Sequence, residues 1–327
     1  MIIVVLALIP ALLFGIYNVG YQHFNAMGTL ADTDFFELFF YGLWRVLPMI
    51  IVSYVVGLGI EFAAAQIRGH EINEGFLVSG LLIPMIMPIN APLWMVGVST
   101  AFAVIIGKEI FGGTGMNIWN PALLARAFFF FSYPSMISGD KVWIAGMPDG
   151  FSQATPLAEA AQGLPTTYDM SSMFWGLIPG SVGETSTFCI LLGAILLIAT
   201  GIGSWKIILS TFIGGYCMAL LLNYTLPATN PYAAITPITH LIMGGFAFGA
   251  VFMATDPVTS AQTERGKWIY GFILGVMAIL IRTLNPGYPE GMMLAILLMN
   301  TFAPLIDWFV VQGNIKRRLK RAKQFQI

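Results

Sequence analysis

Apolar segments long enough to cross a membrane recur along most of the chain, and they restrict its fold more than any other feature. Of the 327 residues, 57% are hydrophobic and only 9% are charged. A soluble domain carries roughly 25% charged residues, so this chain could not cover its surface in water. Runs of this length and composition span membranes as helices. The sequence therefore predicts an all-α integral membrane protein, and its net charge of −1 argues against nucleic acid as a partner.

We predict about ten transmembrane helices from the positions of these runs. The third, fourth and fifth are short for a full crossing. Two of these three carry or adjoin prolines, at Pro84, Pro88 and Pro121. Half-helices that meet in the middle of the membrane would explain both the short length and the prolines. The ten predicted spans are residues 1–17, 39–64, 75–91, 93–107, 121–137, 186–203, 205–223, 236–255, 268–283 and 291–311.

The positions of lysine and arginine indicate how these helices are oriented. We place the C-terminal stretch NIKRRLKRAK, residues 314–323, in the cytoplasm, because cytoplasmic segments carry an excess of basic residues. With ten crossings, eleven of the fifteen basic residues then fall inside, and one, Lys141, falls outside. The long polar segment 138–185 is therefore predicted to be extracytoplasmic.

The two halves of the chain share a pattern. Five predicted spans precede the segment 138–185 and five follow it, so the halves have opposite orientations and any internal repeat must be inverted. In each half a proline-bearing break is followed by a helix, a Gly/Pro turn and a second helix with a strong start signal. The predicted domains are a first membrane repeat 1–137, an extracytoplasmic loop 138–185, a second membrane repeat 186–313 and a basic cytoplasmic tail 314–327.

Ionisable residues inside membrane segments are costly and are therefore candidates for function. Glu61 could also be an interfacial carboxylate that reaches water. Asp256, which precedes a proline, could simply cap a helix. Asp307 interrupts an apolar run and is harder to explain structurally. Arg126 and Arg282 are expected to pair with carboxylates or backbone carbonyls.

Two charged neighbours and two thiols are interpreted as structural. Lys108 and Glu109 are expected to form a solvated pair at a cytoplasmic loop. Cys189 and Cys217 each lie within an apolar run and lack CxxC spacing, so we predict buried thiols and no metal ligands. The sequence contains no HExxH pattern and no glycine-rich nucleotide-binding loop.

Two polar motifs remain as candidate sites. Asn117 and Asn120 flank the start of a helix at Pro121. Asn120 is typical of a plain N-cap, yet helix N-termini inside membranes also bind polar ligand groups. Thr155 ends the stretch DGFSQAT, residues 149–155, and precedes a predicted short helix, TPLAEAAQ. No acid or base near Thr155 in sequence would make it a protease-type nucleophile.

The stretch DGFSQAT resembles the flavin-attachment motif D-x-x-[S/T]-G-A-T of one family of membrane proteins. That family contains the B subunit of the Na+-translocating NADH:quinone oxidoreductase and the D subunit of the Rnf complex. The resemblance covers nearly the whole chain, and its longer motifs favour the first of these. Gln153 replaces the usual glycine of the motif, and the matching stretches do not include the family's cytoplasmic N-terminal extension. The other matching stretches are residues 14–22, 70–76, 107–128, 244–258, 284–307 and 314–318.

The resemblance implies a covalently bound flavin. In the family, a periplasmic flavin transferase esterifies the phosphate of FMN onto the last threonine of the motif. That threonine is Thr155 here, and Asp149, Ser152 and Ala154 match the rest of the motif. The resemblance therefore places FMN on the side of the membrane that the charge distribution independently predicts for segment 138–185.

The resemblance also implies sites for a second flavin, for quinone and for sodium. Asn117 and Asn120 match family positions near a non-covalent riboflavin. Gly57 and Glu61 match a region tied to quinone and inhibitor binding. The membrane carboxylates associated with sodium uptake match Glu61, Asp256 and Asp307.

The function that the resemblance implies is that of an electron-carrying component of a redox-driven sodium pump in the bacterial inner membrane. Electrons from a partner flavin subunit would pass through FMN and riboflavin to ubiquinone or menaquinone, with NADH oxidised on another subunit. The implied fold is two inverted five-helix repeats, similar to urea and ammonium channels. A passive channel of that type fits the repeat equally well, and an Rnf D subunit would couple to ferredoxin instead of NADH.

Overall fold

The computed structural model describes residues 1–69, 74–137, 142–146, 154–164, 166–226, 230, 232, 235–285 and 290–324. All regular secondary structure within these residues is helical, as the sequence predicts. Five helices are long and apolar enough to cross a membrane, and three shorter helices are also apolar. These spans indicate a multi-pass membrane protein, whereas the layout of ten spans in an inverted repeat stays a prediction.

The helices are numbered in chain order. Those of the first half are α1 (Ile2–Met27), α2 (Phe35–Arg68), α3 (Phe76–Ile86), α4 (Leu93–Val104), α5 (Pro121–Ser132) and α6 (Pro134–Ile137). Those that follow are α7 (Pro156–Ala161), α8 (Met170–Trp175), α9 (Thr187–Ala199), α10 (Trp205–Thr225), α11 (Pro237–Ile242), α12 (Phe246–Phe248), α13 (Glu264–Leu284) and α14 (Met292–Gln324). A 3-10 turn covers Leu30–Asp32, and π-helical turns continue α4 over Ile105–Glu109 and α12 over Gly249–Met253. The five long apolar helices are α1, α2, α10, α13 and α14.

The largest differences from the predicted spans occur in three places. α1 continues past residue 17 to Met27. The predicted span 236–255 is divided, because α11 ends at Ile242 and Gly244 adopts a φ of 67° before α12 begins. α14 continues through the basic tail to Gln324, since lysine, arginine and leucine are good helix formers.

The prediction that both thiols are buried is wrong. Cys217 is exposed on α10, and Cys189 is half-buried on α9. An apolar helix in a membrane has an outward face as well as a packed face, and the sequence alone did not separate the two.

Glycines let two pairs of long helices touch backbone to backbone. An ideal Cβ at Gly42 of α2 would lie 1.8 Å from Ile16 O, and one at Gly20 of α1 would lie 1.9 Å from Leu38 O. Gly275 of α13 lies against the backbone of α10 in the same manner, at 2.1 Å. Small residues permit this close approach in membranes, where van der Waals packing drives helix association.

A small second apolar cluster docks the short helices α7 and α8 onto the end of the bundle. Leu157 of α7 and Met173 of α8 pack together with Ile178 and with Ile242 of α11. The Asn18 side chain of α1 donates from Nδ2 to Ile178 O at 2.8 Å and fixes this cluster to the first long helix. The segment that follows Thr155 is therefore anchored to both halves of the chain.

Candidate functional site

A cavity of about 210 Å³ brings three of the predicted site residues together. It lies between the start of α1, α3, the π-helical turn after α4 and the segment after the second π-helical turn. Asn117, Asn120 and Asp256 line it, and Lys108 adds a cation that the sequence had placed in solvent. Apolar side chains such as Leu82 form much of the remaining wall. The site therefore combines amide, carboxylate and ammonium groups within a largely apolar enclosure.

Asn120 joins the two halves of the chain at this cavity. Its Oδ1 accepts from the backbone N–H groups of Ala122 (3.0 Å) and Leu123 (3.3 Å), so it is the N-cap of α5 as predicted. Its Nδ2 donates to Asp256 Oδ2 at 3.2 Å. Asp256 Oδ1 accepts from the N–H of Val258 at 3.1 Å and closes a turn. The interpretation of Asp256 as a helix cap is wrong, because the next helix, α13, begins several residues later.

Replacing Asn120 by alanine is expected to lower the free energy of unfolding by about 1–2 kcal/mol, because the cap of α5 and the bond to Asp256 are both lost. Asn120→Ser keeps a hydroxyl that can cap α5, so its free energy of unfolding should fall by less than that of the alanine variant. Chemical unfolding of both variants in detergent measures the difference. Equal stabilities of the two variants would contradict the assignment of Asn120 as a cap.

Glu61 and Lys108 form a buried ion pair beside the cavity. The Lys108 ammonium contacts Glu61 Oε1, and both side chains are 5% exposed. Glu61 is therefore not an interfacial carboxylate, and the prediction of a solvated pair between Lys108 and Glu109 is wrong. Glu109 is buried and pairs with Arg68 at 3.3 Å. Both Lys108 and Glu109 lie on the first π-helical turn, and such turns are frequent at functional sites.

Gly57 supports this ion pair through the ring of Phe76. An ideal Cβ at position 57 would lie 1.8 Å from Phe76 Cζ. Phe76 is fully buried, and its ring centroid lies 5.9 Å from the Lys108 ammonium, within the range of a cation–π contact. Gly57 and Glu61, the two predicted quinone residues, are thus connected through Phe76 and Lys108.

Gly57→Ala is expected to destabilise the protein by about 1–3 kcal/mol, because the new methyl group displaces a buried ring. Gly59→Ala is the matched control on the same helix, since an ideal Cβ there meets nothing within 4 Å. Alanine is the better helix former, so this control should be neutral or stabilised by up to about 1 kcal/mol. Thermal unfolding in detergent compares the two, and equal shifts would show that Phe76 adjusts without cost.

Asp307 lies apart from the cavity, and among the described residues it is not part of the lining. Its carboxylate accepts from the N–H of Gln262 at 2.7 Å and from the N–H and hydroxyl of Thr263 at 2.9 and 2.6 Å. These donors stand at the start of α13, so Asp307 of α14 helps to satisfy the backbone N–H groups there. These bonds hold Asp307 at the start of α13, and it does not share the cavity lining with Asp256.

Thr155 is the N-cap of α7. Its Oγ1 accepts from the N–H of Ala158 at 3.2 Å, which confirms the predicted turn and short helix. Thr155 and Ala154 are both half-buried, so the hydroxyl stands at the boundary between the docked segment and its surroundings. The predicted motif residues Asp149 and Ser152 lie outside the described residues.

The cavity and the docked helix α7, which begins after Thr155, lie beside different parts of α1. Val4 lines the cavity, whereas Asn18 bonds Ile178 beside the docked α7. At a rise of 1.5 Å per residue, the helix between these two residues is about 21 Å long. The two predicted flavin positions are therefore separated along the bundle axis.

A buried charge cluster that the sequence did not predict connects the two halves of the chain. Arg126 of α5 donates to Ile86 O, to Ser181 Oγ (3.2 Å), to Glu184 Oε1 (3.3 Å) and to Glu290 Oε2 (2.5 Å). Glu184 lies in the connection between α8 and α9, where burial and the Glu290 carboxylate raise its pKa to about 8. The expectation that Arg126 pairs with carboxylates and carbonyls is confirmed. Its carboxylate partners were missed because Glu184 and Glu290 each lie in a polar, glycine-bearing stretch that is typical of a loop.

Arg282 caps the C-terminal end of α11, where the predicted span is interrupted. Its guanidinium donates to His240 O (2.5 Å), Met243 O (3.1 Å) and Glu290 O (3.4 Å). The last carbonyls of a helix have no partner within the helix, and inside a membrane protein water does not readily replace them. Arg282 therefore pairs with backbone carbonyls, one of the two alternatives that the sequence left open.

The apolar spans and the buried polar cavity define a helical membrane protein whose functional groups lie between its helices. This chain belongs to the NQR2, RnfD, RnfE family, whose model matches residues 1–316. The family resemblance inferred from the sequence motifs is thereby confirmed.

Curated relatives that cover almost the whole chain carry the name of the B subunit of Na(+)-translocating NADH-quinone reductase. The relative from Chromohalobacter salexigens is 47% identical over 98% of this chain and 83% of its own length. That from Ectopseudomonas mendocina is 47% identical over 98% of this chain and 86% of its own length. That from Yersinia pestis is 44% identical over 99% of this chain and 86% of its own length.

Proposed function

We propose that this chain is the membrane flavoprotein component, the B subunit, of a sodium-pumping NADH:quinone oxidoreductase. The observation that carries the proposal is an identity of 44–47% over 98–99% of the chain with relatives of that name. NADH is oxidised on another subunit. Electrons arrive from a partner flavin subunit, pass through covalent FMN and non-covalent riboflavin, and reduce ubiquinone or menaquinone. Their flow is coupled to Na+ translocation.

In this proposal the chain crosses the bacterial inner membrane ten times, with its C-terminus in the cytoplasm and Thr155 outside. The distribution of basic residues supports the orientation. The breaks between α3 and α4 and between α11 and α12 support half-helices that meet within the membrane. The separation of α7 from the cavity along α1 fits an outer flavin anchor and a cavity nearer the cytoplasm.

Thr155 is the proposed covalent anchor, with FMN joined by a phosphoester to Oγ1 in a reaction of a flavin transferase. Thr155 is half-buried and caps the short docked helix α7, which fits a tether with an ordered backbone. Bound FMN supplies one- and two-electron redox chemistry, and the protein supplies its position. The tether also keeps the flavin at a high effective concentration. Asp149, Ser152 and Ala154 complete the motif that the transferase reads.

The cavity is the proposed contact site of riboflavin. The amides of Asn117 and Asn120 suit the nitrogen and oxygen atoms at the edge of a flavin ring, and apolar groups such as Leu82 suit its faces. A volume of about 210 Å³ is below that of pockets which enclose drug-sized ligands. The chemistry of the lining therefore fits the polar edge of the ring, and the rest of the flavin would extend beyond this enclosure.

Glu61, Asp256 and Asp307 are the proposed carboxylates of the sodium path, and Gly57 and Glu61 border the quinone. A cation is stable in a low-dielectric path when a negative charge compensates it. Reduction of a nearby flavin or quinone supplies such a charge. Coupling then requires that Na+ bind more tightly to the reduced protein than to the oxidised protein, and equal affinities would remove the basis for it.

The proposal is tested with the whole complex, purified with its partner subunits and reconstituted into vesicles. We expect NADH oxidation with added quinone to drive Na+ into the vesicles, and mass spectrometry to find FMN on this chain. Urea or ammonium permeability without redox-driven Na+ uptake would identify a passive channel instead. Co-purification with ferredoxin-dependent partners would assign the chain to an Rnf complex.

A further inference from the structure

Lys108 lies where a cation bound to Glu61 Oε1 would lie. Its ammonium contacts Glu61 Oε1 where both side chains are almost fully buried. We propose that Lys108 competes with Na+ for Glu61, so that departure of the lysine opens this carboxylate to the ion. The inference rests on the proposed function, because it takes Glu61 to be part of the sodium path.

Electrostatics make the two cations exclusive. A carboxylate that is neutralised by an ammonium has no net charge left to offset the dehydration of Na+, and two cations at one buried carboxylate repel each other. A buried carboxylate without a partner is equally unfavourable. Glu61 therefore holds either Lys108 or another cation.

Within its own helical turn, Lys108 has one acidic neighbour, Glu109, and that carboxylate already has a cation. Glu109, the adjacent carboxylate, is buried and already paired with Arg68 at 3.3 Å. Among the described residues, Glu61 is the carboxylate for which an ion pair with Lys108 is observed. A movement of Lys108 away from Glu61 must therefore lead to a charge on another element.

The cavity supplies that destination. Lys108 is itself part of its lining, and Asp256 lies on the same lining. A lysine side chain is flexible over four carbons, so its ammonium can turn from Glu61 into the cavity while its backbone stays in place. A negative charge that develops on a ligand at Asn117 and Asn120 would attract it there. A negative charge in the cavity would therefore draw Lys108 away from Glu61 and leave the Glu61 carboxylate free to bind Na+.

Lys108→Met in the oxidised complex is the principal test. We expect its Na+ affinity, measured by binding of radioactive sodium, to rise about tenfold over the wild type, because the competing cation is gone. Its melting temperature should rise when Na+ replaces choline, and by more than in the wild type, because Na+ stabilises the uncompensated carboxylate. Lys206→Met is the matched control, since Lys206 pairs with the exposed Glu264 of α13.

Lys108→Arg tests the same point if the methionine variant does not assemble. Arginine forms a stronger fork-shaped pair with a carboxylate and is displaced less easily. The Na+ affinity of the reduced complex should therefore fall about tenfold.

Three results would overturn the inference. One is a Lys108→Met complex with the same Na+ affinity as Lys206→Met. The second is stabilisation of Lys108→Met by acid instead of Na+, which would mean that Glu61 takes up a proton. The third is unchanged Na+ affinity in Lys108→Arg. Failure of the proposed function would instead be visible in the wild type, as absence of FMN and of redox-driven Na+ uptake.

Discussion

Thr155→Val is expected to abolish the flavin fluorescence that the proposed covalent FMN would give this protein on a denaturing gel under ultraviolet light. Valine matches threonine in shape but has no hydroxyl, so no phosphoester to FMN can form. Thr155→Ser retains both the hydroxyl and the cap of α7, and it should keep a fluorescent band. The loss of the cap in the valine variant costs only about 1 kcal/mol, so the protein should still fold.

A second threonine of the same docked segment provides the control. The hydroxyl of Thr167 donates to Glu159 Oε1 at 2.6 Å, and Thr167→Val removes it without touching the motif. This variant should fluoresce like the wild type when all proteins are made together with the flavin transferase. A fluorescent Thr155→Val band would place the flavin elsewhere, and a dark wild-type band would remove covalent FMN from the proposed function.

Arg126→Met is expected to lower the free energy of unfolding by about 3–5 kcal/mol, because it leaves the Glu290 carboxylate and the Glu184 carboxyl group buried without their cation. Methionine fills much of the volume of the arginine side chain. The loss of stability should therefore come mainly from the missing charge and less from altered packing. Unfolding in detergent measures the effect. Lys206→Met is the matched control, since Lys206 pairs with Glu264, whose side chain is 66% exposed, and exposed pairs of this kind contribute less than about 1 kcal/mol.

A double-mutant cycle identifies the cause of the Arg126 effect. Adding Glu290→Gln to Arg126→Met removes the stranded charge of Glu290 and should restore part of the stability. Equal stability of the single and double variants would mean that the carboxylate takes up a proton at no cost, and the cluster would then contribute little to the union of the two halves.

The sequence predicted features that depend on neighbouring residues. α10 and α13 follow from uninterrupted apolar runs, and the caps at Asn120 and Thr155 follow from a polar residue before proline. The break after Ile242 also had a local signal, the glycine pair at residues 244–245, but the length of the surrounding apolar run outweighed it. α14 extends beyond its predicted end because helix propensity, not hydropathy, decides where it stops.

Features that depend on distant partners were not predicted. Lys108 follows an apolar run and precedes Glu109, a pattern that also fits a solvated loop, and its burial depends on Glu61 in another helix. Glu184 and Glu290 occupy loop-like stretches, and the tertiary fold alone brings them to Arg126. Burial of a charge is a property of the assembled structure, so a local pattern cannot reveal it.

The glycines that bring α1 onto α2 and α10 onto α13 have a mechanical consequence. Where two backbones touch, sliding either helix along its axis drives a Cα into a carbonyl oxygen. Each pair of helices is therefore expected to move as one rigid unit. If the proposed sodium pump changes conformation in its cycle, the change must deform the chain elsewhere. We expect such a change to bend the chain at the interruptions after α3 and α11, where the helices end, while α1 with α2 and α10 with α13 keep their spacing.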